Sequence, residues 1–287
     1  MNHKWLKPLI LFGVFIFAIL IFECRISTGG MQLTSELKEP TLPMVFLSEN
    51  NRQVNHLYGY VDEMEPQYIR NTITPLYGNL ELPIKVLSYE KEITEISYEV
   101  RSLDASRLIE DNKVVNFKAK KGKIQVVLPI QNILDEGTEY LLTIKLHSKE
   151  ETISYYTRII KADTWNISKC VDFAMDFHEK ALNKKTANEL ATYMETTQSS
   201  DKTTLQHVTI ESSLQQVSWG DFAGKKLTEP QIQIVEVTPT YSVILLDYVM
   251  SSAGEKGELE YYNIQEYYRV RITDKVTYLL DYERTMN

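Results

Sequence analysis

The chain has 287 residues, of which 43% are hydrophobic, 10% aromatic and 24% charged, and it carries a formal net charge of −8. That length is ample for one large domain or two ordinary ones beyond a leader. The acidic balance argues against nucleic acid or a polyanion as a bulk partner, and Cys24 and Cys170 are too few and too far apart for a disulfide-stapled scaffold.

Residues 9–22, LILFGVFIFAILIF, form an uninterrupted apolar run that Trp5 and Leu6 extend by a turn. At about 1.5 Å per residue, the stretch from Trp5 to Phe22 gives roughly 27 Å of helix, close to a hydrocarbon core. Lys4 and Lys7 precede it, which predicts a cytoplasmic N-terminus and an extracytoplasmic remainder. A cleaved secretory signal has an apolar stretch of about 7–15 residues and a small-x-small site. Here Phe22 ends the run and Glu23, Cys24 and Arg25 follow it, and only Ser27, Thr28, Gly29 and Gly30 suit a late cleavage. A lipoprotein signal needs small residues before its cysteine, whereas Ile21, Phe22 and Glu23 precede Cys24. The expectation is an uncleaved single-span anchor in 1–26. Because Lys4 and Lys7 are the only charges before Glu23, the part outside carries −10.

Residues 27–40 are small, polar and charged without a sustained period, and they read as a tether. In 41–79, MVFL and HLYGYV look like short strands around the turn-prone SENNRQ stretch, and they attach to the following domain as extra strands. From 81 to 162, alternating runs recur between turn signals: PIKVLS, ITEISYEVRS, SRLIE, KVVNFKAK, KIQVVLPI, YLLTIKLH and TISYYTRII. In the fifth, Ile124, Val126, Leu128 and Ile130 share a face; in the sixth, Tyr140, Leu142, Ile144 and Leu146 do. Seven such runs with turns every eight to twelve residues predict a β-sandwich over 41–162.

The segment Leu134-Asp-Glu-Gly137-Thr138-Glu-Tyr140 resembles the entry to the sixth strand of fibronectin type III and related immunoglobulin-like domains. There an L-x-P-G-T-x-Y pattern carries a tyrosine whose hydroxyl bonds backbone upstream. Tyr140 and Leu134 match, while Glu136 stands where proline is usual. The resemblance covers about eighty residues, bears on fold and implies no ligand.

After Ala162 the period changes. ISKCVDFAMDFHEKALNKK places Val171, Ala174, Phe177 and Ala181 at helical spacing, with Phe173 widening the stripe and Asp172, Asp176 and Glu179 opposite. A second helical stretch, ANELATYMETT, is expected next. Then come strands: HVTIES, QQVSWGDF, PQIQIVEVT, YSVILLDYVMS, YYNIQEYYRVRI and VTYLLDYERT, with turns at 238–240, 252–257 and 273–275. Helices followed by a long-stranded antiparallel sheet predict an α+β domain over 163–287, with helices packed on a curved sheet. The order resembles the cone-shaped nuclear-transport-factor-like (SnoaL-like) superfamily, which includes enzymes, ligand binders and inert modules, so the likeness implies a fold and no activity. The whole chain resembles one-span envelope proteins of Gram-positive bacteria, which implies a compartment.

Motifs for chemistry are sparse. Neither G-x-x-x-x-G-K-[ST] nor G-x-G-x-x-G occurs, and Gly224-Lys225-Lys226 lacks the upstream glycine of a phosphate nest. H-E-x-x-H, C-x-x-C and EF-hand patterns are missing from the sequence. His178-Glu179 beside Asp172 and Asp176 reads as the solvated face of a helix. Two S-x-x-K tetrapeptides, at Ser35 and Ser199, lack a K-T-G companion. Cys170 opens an amphipathic helix and reads as packed. Two glycosidase carboxylates leave no fixed signature, although neither predicted domain is a usual scaffold for that reaction.

Eighteen tyrosines remain, with pairs at 155–156, 261–262 and 267–268. In a strand, adjacent tyrosines face opposite sides, so one of each pair is expected outward. Against the plain reading that tyrosine favours strands, Tyr261, Tyr262, Tyr267 and Tyr268 form the candidate contact surface. No catalytic, metal or cofactor residue is assigned. The expected role is a non-catalytic, membrane-anchored binding or scaffold protein of the cell envelope, with another envelope protein or wall glycan as partner. The alternatives are a small-ligand or enzymatic site inside the C-terminal domain, with Phe173, Phe177, Trp219 and Phe222 available to fill its wedge, and an accessory region of a longer envelope enzyme.

Overall fold

Asn50 and Asn51, both with positive φ, close a tight hairpin between β1 (Met44–Glu49) and β2 (Arg52–Leu57). Asparagine tolerates this left-handed conformation, so the turn is confined to Asn50 and Asn51; the rest of SENNRQ belongs to the two strands, and the strand expected at HLYGYV ends at Leu57. The computed structural model describes residues 42–89, 91–114, 116–132, 134–195, 204–254 and 258–287, together with Gly13, Phe15 and Ile16, which are helical. No helix among the described residues is long and apolar enough to cross a membrane. The anchor expected in 1–26 lies outside them save those three positions, as does the tether at 27–40.

Two sheets pack face to face as a β-sandwich. The first has the order β2–β1–β4 (Glu81–Leu87)–β7 (Lys123–Pro129). The second joins β3 (Ile73–Leu76), β9 (Thr152–Lys161), β8 (Glu139–Ser148), β5 (Ile93–Ser102) and β6 (Leu108–Lys113), with β3 running parallel to β9. Val45, Leu47, Ile84, Val86, Ile124 and Leu128 from one sheet share a core with Ile96, Tyr98, Leu142, Ile144 and Tyr155 from the other. The residues at 44–76 supply three of these strands. KVVNFKAK forms no strand of its own among its described residues: Lys113 ends β6, Val114 packs on the core, and Lys120 makes an isolated bridge to Lys123. At the expected tyrosine corner, the buried Tyr140 hydroxyl accepts the Asp135 backbone N–H at 3.1 Å.

The rest of the chain builds a third, antiparallel sheet. Its order is β10 (His207–Thr209), β15 (Thr277–Met286), β14 (Leu259–Ile272), β13 (Ser242–Ala253) and β11 (Lys225–Lys226), and β12 (Gln231–Val237) also pairs with β13. Helix α1 (Ile167–Leu182) lays Val171, Ala174, Phe177 and Ala181 on the inner face, as the periodicity predicts. Two expectations fail here. ANELATYMETT forms a 3₁₀ segment, Ala187–Tyr193. QQVSWGDF, expected as a strand, contributes instead to a short helix α2 (Leu214–Val217) and the turn after it. A capping box drives this, with Ser213 Oγ accepting the Gln216 N–H while Gln216 Oε1 accepts the Ser213 N–H.

The sandwich and the third sheet meet along β2 and β12 and share one continuous apolar core within residues 42–287. Asn55 is the clamp between them. Fully buried, with φ +49°, it donates to Ile73 O at 2.9 Å and Thr74 Oγ1 at 2.7 Å. Its Oδ1 accepts the Ile234 N–H of β12 at 2.8 Å. Arg158 reinforces the seam by donating to Val235 O at 2.7 Å.

Candidate functional site

Strand β14 sorts its tyrosines by parity. Ile264, Glu266, Tyr268 and Val270 face inward and are buried, while Tyr261, Asn263, Gln265 and Tyr267 face out. Tyr268 is fully buried and is closed to any partner. Tyr262 turns inward at the far end, where its ring meets Phe222 at 5.6 Å. Tyr261 is 64% exposed, and Tyr267 is half-buried beside Arg269, whose guanidinium lies over the Tyr241 and Tyr267 rings. The outward pair are six residues apart, about 20 Å along the strand.

Between them lies a shallow groove of about 410 Å³ on the outer face of the third sheet, lined by Thr228, Gln231, Asp247, Asn263, Gln265 and Thr285 among others. Its centre is organised. Asp247 accepts from Gln233 Nε2 at 2.8 Å and from Gln265 Nε2 at 2.9 Å, one on each neighbouring strand. Those bonds fix both carboxamides in place and aim their carbonyl oxygens away from the carboxylate. Four carboxamides, counting Asn287, one carboxylate and two hydroxyls therefore face solvent with no free cation among the groove's lining residues. Such a surface hydrogen-bonds neutral polar ligands and offers little to a polyanion.

Directly beneath, the inner face carries a buried ionic cluster that the sequence reading missed. His178, expected on the solvated side of α1, is fully buried, and its Nδ1 lies 2.9 Å from Glu266 Oε2. The hydroxyls of Tyr268 (2.7 Å) and Tyr248 (2.8 Å) also donate to Glu266. Burial drives Glu266 upward, but the hydrogen bond and charge of His178, with the attraction of Arg284, outweigh it and hold the carboxyl below its ordinary range. Arg284 is itself fully buried, donates to Val217 O and Gln216 O, and lies 3.6 Å above the Trp219 ring. The signal was available: alternation puts Glu266 between Ile264 and Tyr268 on the apolar face.

Phe177 is buried against Phe173, Tyr193, Tyr268 and Tyr282, and Trp219 stacks on Phe222. The four aromatics expected in the wedge thus pack there, around the ionic cluster. Burial pushes the Cys170 thiol up to about 11, and its Sγ lies 3.6 Å from Val270 O, so it behaves as a packed side chain. Among the described residues no group of three or more His, Cys, Asp or Glu side chains is placed to hold a metal ion. No protein-family model matches the chain, and a search of curated proteins finds no match either.

Proposed function

We propose that this protein is a membrane-anchored, non-catalytic binding module of the cell envelope that holds a neutral glycan on the outer face of its third sheet. The observation that carries this reading is the groove around Asp247, where carboxamides and hydroxyls are pre-positioned by cross-strand bonds and flanked by Tyr261 and Tyr267. Sugar rings present hydroxyls to such groups and apolar faces to tyrosine. The apolar run at 9–22 with Lys4 and Lys7 supports the anchor and the extracytoplasmic location. The strand layout supports the immunoglobulin-like reading of the sandwich, with β1, β4 and β7 facing β9, β8, β5 and β6. One helix on an antiparallel sheet with register shifts in β12 and β14 supports the cone-shaped α+β reading of 163–287.

The test uses the full chain in detergent micelles, titrated with soluble N-acetylglucosamine oligomers and mixed with insoluble wall glycan. The expected result is saturable binding that Tyr261→Ala with Tyr267→Ala weakens by more than about 1 kcal/mol. An absence of binding to every glycan would overturn the reading. In a Gram-positive host the protein should stay in the membrane fraction and lose everything beyond the tether to external protease. Release of a form beginning near Ser27 would overturn the anchor.

One observation favours the second reading, a small-ligand or enzymatic site within the C-terminal half. His178 Nε2, Gln216 Nε2 and Trp219 Nε1 are buried without a hydrogen-bond partner, His178 Nε2 being 3.8 Å from Glu179 Oε1. Buried polar atoms of this kind are met by water or a ligand. Crystals of the purified protein decide it: density for ordered water at these atoms removes the ligand, and density for an organic molecule establishes it.

A further inference from the structure

The groove on the third sheet is one half of a longer line of side chains. Gln231, Asp247, Gln265, Thr285 and His207 are cross-strand partners of one another, so they form a single outward row across β12, β13, β14, β15 and β10. The outer face of the first sheet carries a matching row. There His56, Phe46, Lys85 and Gln125 are successive partners across β2, β1, β4 and β7. Both rows run perpendicular to their strands, and they meet at the seam. Asn55, the neighbour of His56 on β2, bonds Ile234 of β12, three residues from Gln231, so the ends of the two rows come together at this bond.

The junction is aromatic. His56 stacks on Phe46 with centroids 4.8 Å apart, and Tyr58, 66% exposed, covers His56 at 4.6 Å. The Lys85 ammonium lies 6.0 Å from the Phe46 centroid and donates to Gln53 Oε1 at 3.1 Å. Beyond it a second shallow groove of about 440 Å³ is lined by Asn51, Gln53, Lys85 and Gln125 among others. The order along the molecule is therefore carboxamide groove, aromatic junction, carboxamide groove.

We propose that the seven solvent-facing side chains of these rows, joined at the junction by Tyr58, which lies over His56 and, beneath it, the buried Phe46, form one continuous path for an extended, uncharged polysaccharide, crossing both halves of the protein. The inference rests on the glycan reading above and adds the ligand's form: a linear chain of many rings, lying across the strands. At about 4.8 Å per strand the row is roughly 38 Å long. An extended chain of β-linked pyranoses advances by nearly the same step per ring, so each strand can serve one ring. Lys85 and Asp247 cancel in charge and the remaining solvent-facing groups are three amides, the Thr285 hydroxyl, the His207 imidazole and the Tyr58 phenol, which matches a neutral polymer. A peptide adding to a sheet does so along an edge, through main-chain groups. A ligand lying across a face is recognised by side chains, as this row provides.

The experiment is calorimetric titration of the full chain in micelles with N-acetylglucosamine oligomers from the dimer to the octamer. Affinity should rise with length and level off near a chain that spans both grooves. Lys85→Ala with Gln125→Ala should weaken octamer binding about tenfold while leaving the dimer, which the third-sheet groove holds alone, unchanged. Tyr58→Ala, a change at an exposed ring, should give the same pattern, which protects the test if the double variant is unstable. Tyr68→Ala, at a tyrosine 79% exposed and outside both grooves, should change nothing. Equal binding of dimer and octamer, or an octamer affinity indifferent to these variants, overturns the row and leaves the glycan reading standing. Failure of every oligomer to bind overturns both.

Discussion

At Glu266 a single side chain couples the two faces of the third sheet. Its neighbours on β14, Gln265 and Tyr267, point toward the groove, while its own carboxylate gathers His178, Tyr248 and Tyr268 inside. Glu266→Ala would strand buried donors and remove the charge facing Arg284, so it should cost about 3–5 kcal/mol in a denaturant titration. An unchanged midpoint would mean that the cluster is not formed in solution. Tyr140→Phe is milder. It leaves the Asp135 N–H without its acceptor and should cost about 0.5–1.5 kcal/mol. His56 supplies a pH dependence. Burial lowers it from its ordinary value of 6.5. The unfolded chain thus takes up this proton at higher pH than the folded one, so stability is full above about 6.5 and is lost as pH falls through the folded value. His56→Gln should flatten the unfolding midpoint over that window, and an unaltered pH profile would count against the burial of the imidazole.

Elements differ in how openly they were written in the chain. Strands β7 and β8 and helix α1 were legible because their apolar residues recur with a period of two or of 3.6, and β13–β15 because they are long runs rich in β-branched and aromatic residues between clear turns. KVVNFKAK has the composition of a strand, yet only Val114 and Phe117 among its described residues pack on the core. Helix α2 was missed because it is four residues long, too short for a period, although Ser213-x-x-Gln216 is its start signal. Ser213→Ala should cost about 1 kcal/mol, and because Arg284 donates to the carbonyls of Gln216 and Val217, the loss should appear in the global unfolding midpoint. A loss confined to local amide exchange around 213–219 would show the cap to be uncoupled from the core. Parity placed one tyrosine of the 261–262 and 267–268 pairs outward, but it failed at 155–156, where Tyr155 and Tyr156 are both buried because β9 is covered on its two faces. The row through Gln231, Asp247 and Gln265 was not legible, because each is an ordinary polar position until strand register lines them up, and register between distant strands is set by packing.

Across the whole molecule, the seam at Asn55 decides whether the two halves behave as one. With three hydrogen bonds from Asn55 on β2 to strands β3 and β12 and a shared core, residues 42–287 should unfold in a single transition that coincides by near- and far-ultraviolet circular dichroism. Asn55→Ala should cost more than about 3 kcal/mol, since it orphans buried groups and places alanine at a left-handed φ; two resolved transitions in the wild type would contradict this. The strand that begins the described body has a mechanical consequence. Any load carried by the segment before Leu42 enters through β1, which is laddered to β2 on one side and to β4 on the other, while Tyr155 donates to the Pro43 carbonyl at 2.6 Å. Pulled along its length, β1 resists with all its cross-strand bonds sharing the force at once, and the strain passes from β2 into β12 through Asn55. A polymer gripped across the third sheet would thus be tied to the segment before Leu42 by bonds loaded in shear, the geometry in which sheets yield at the highest force.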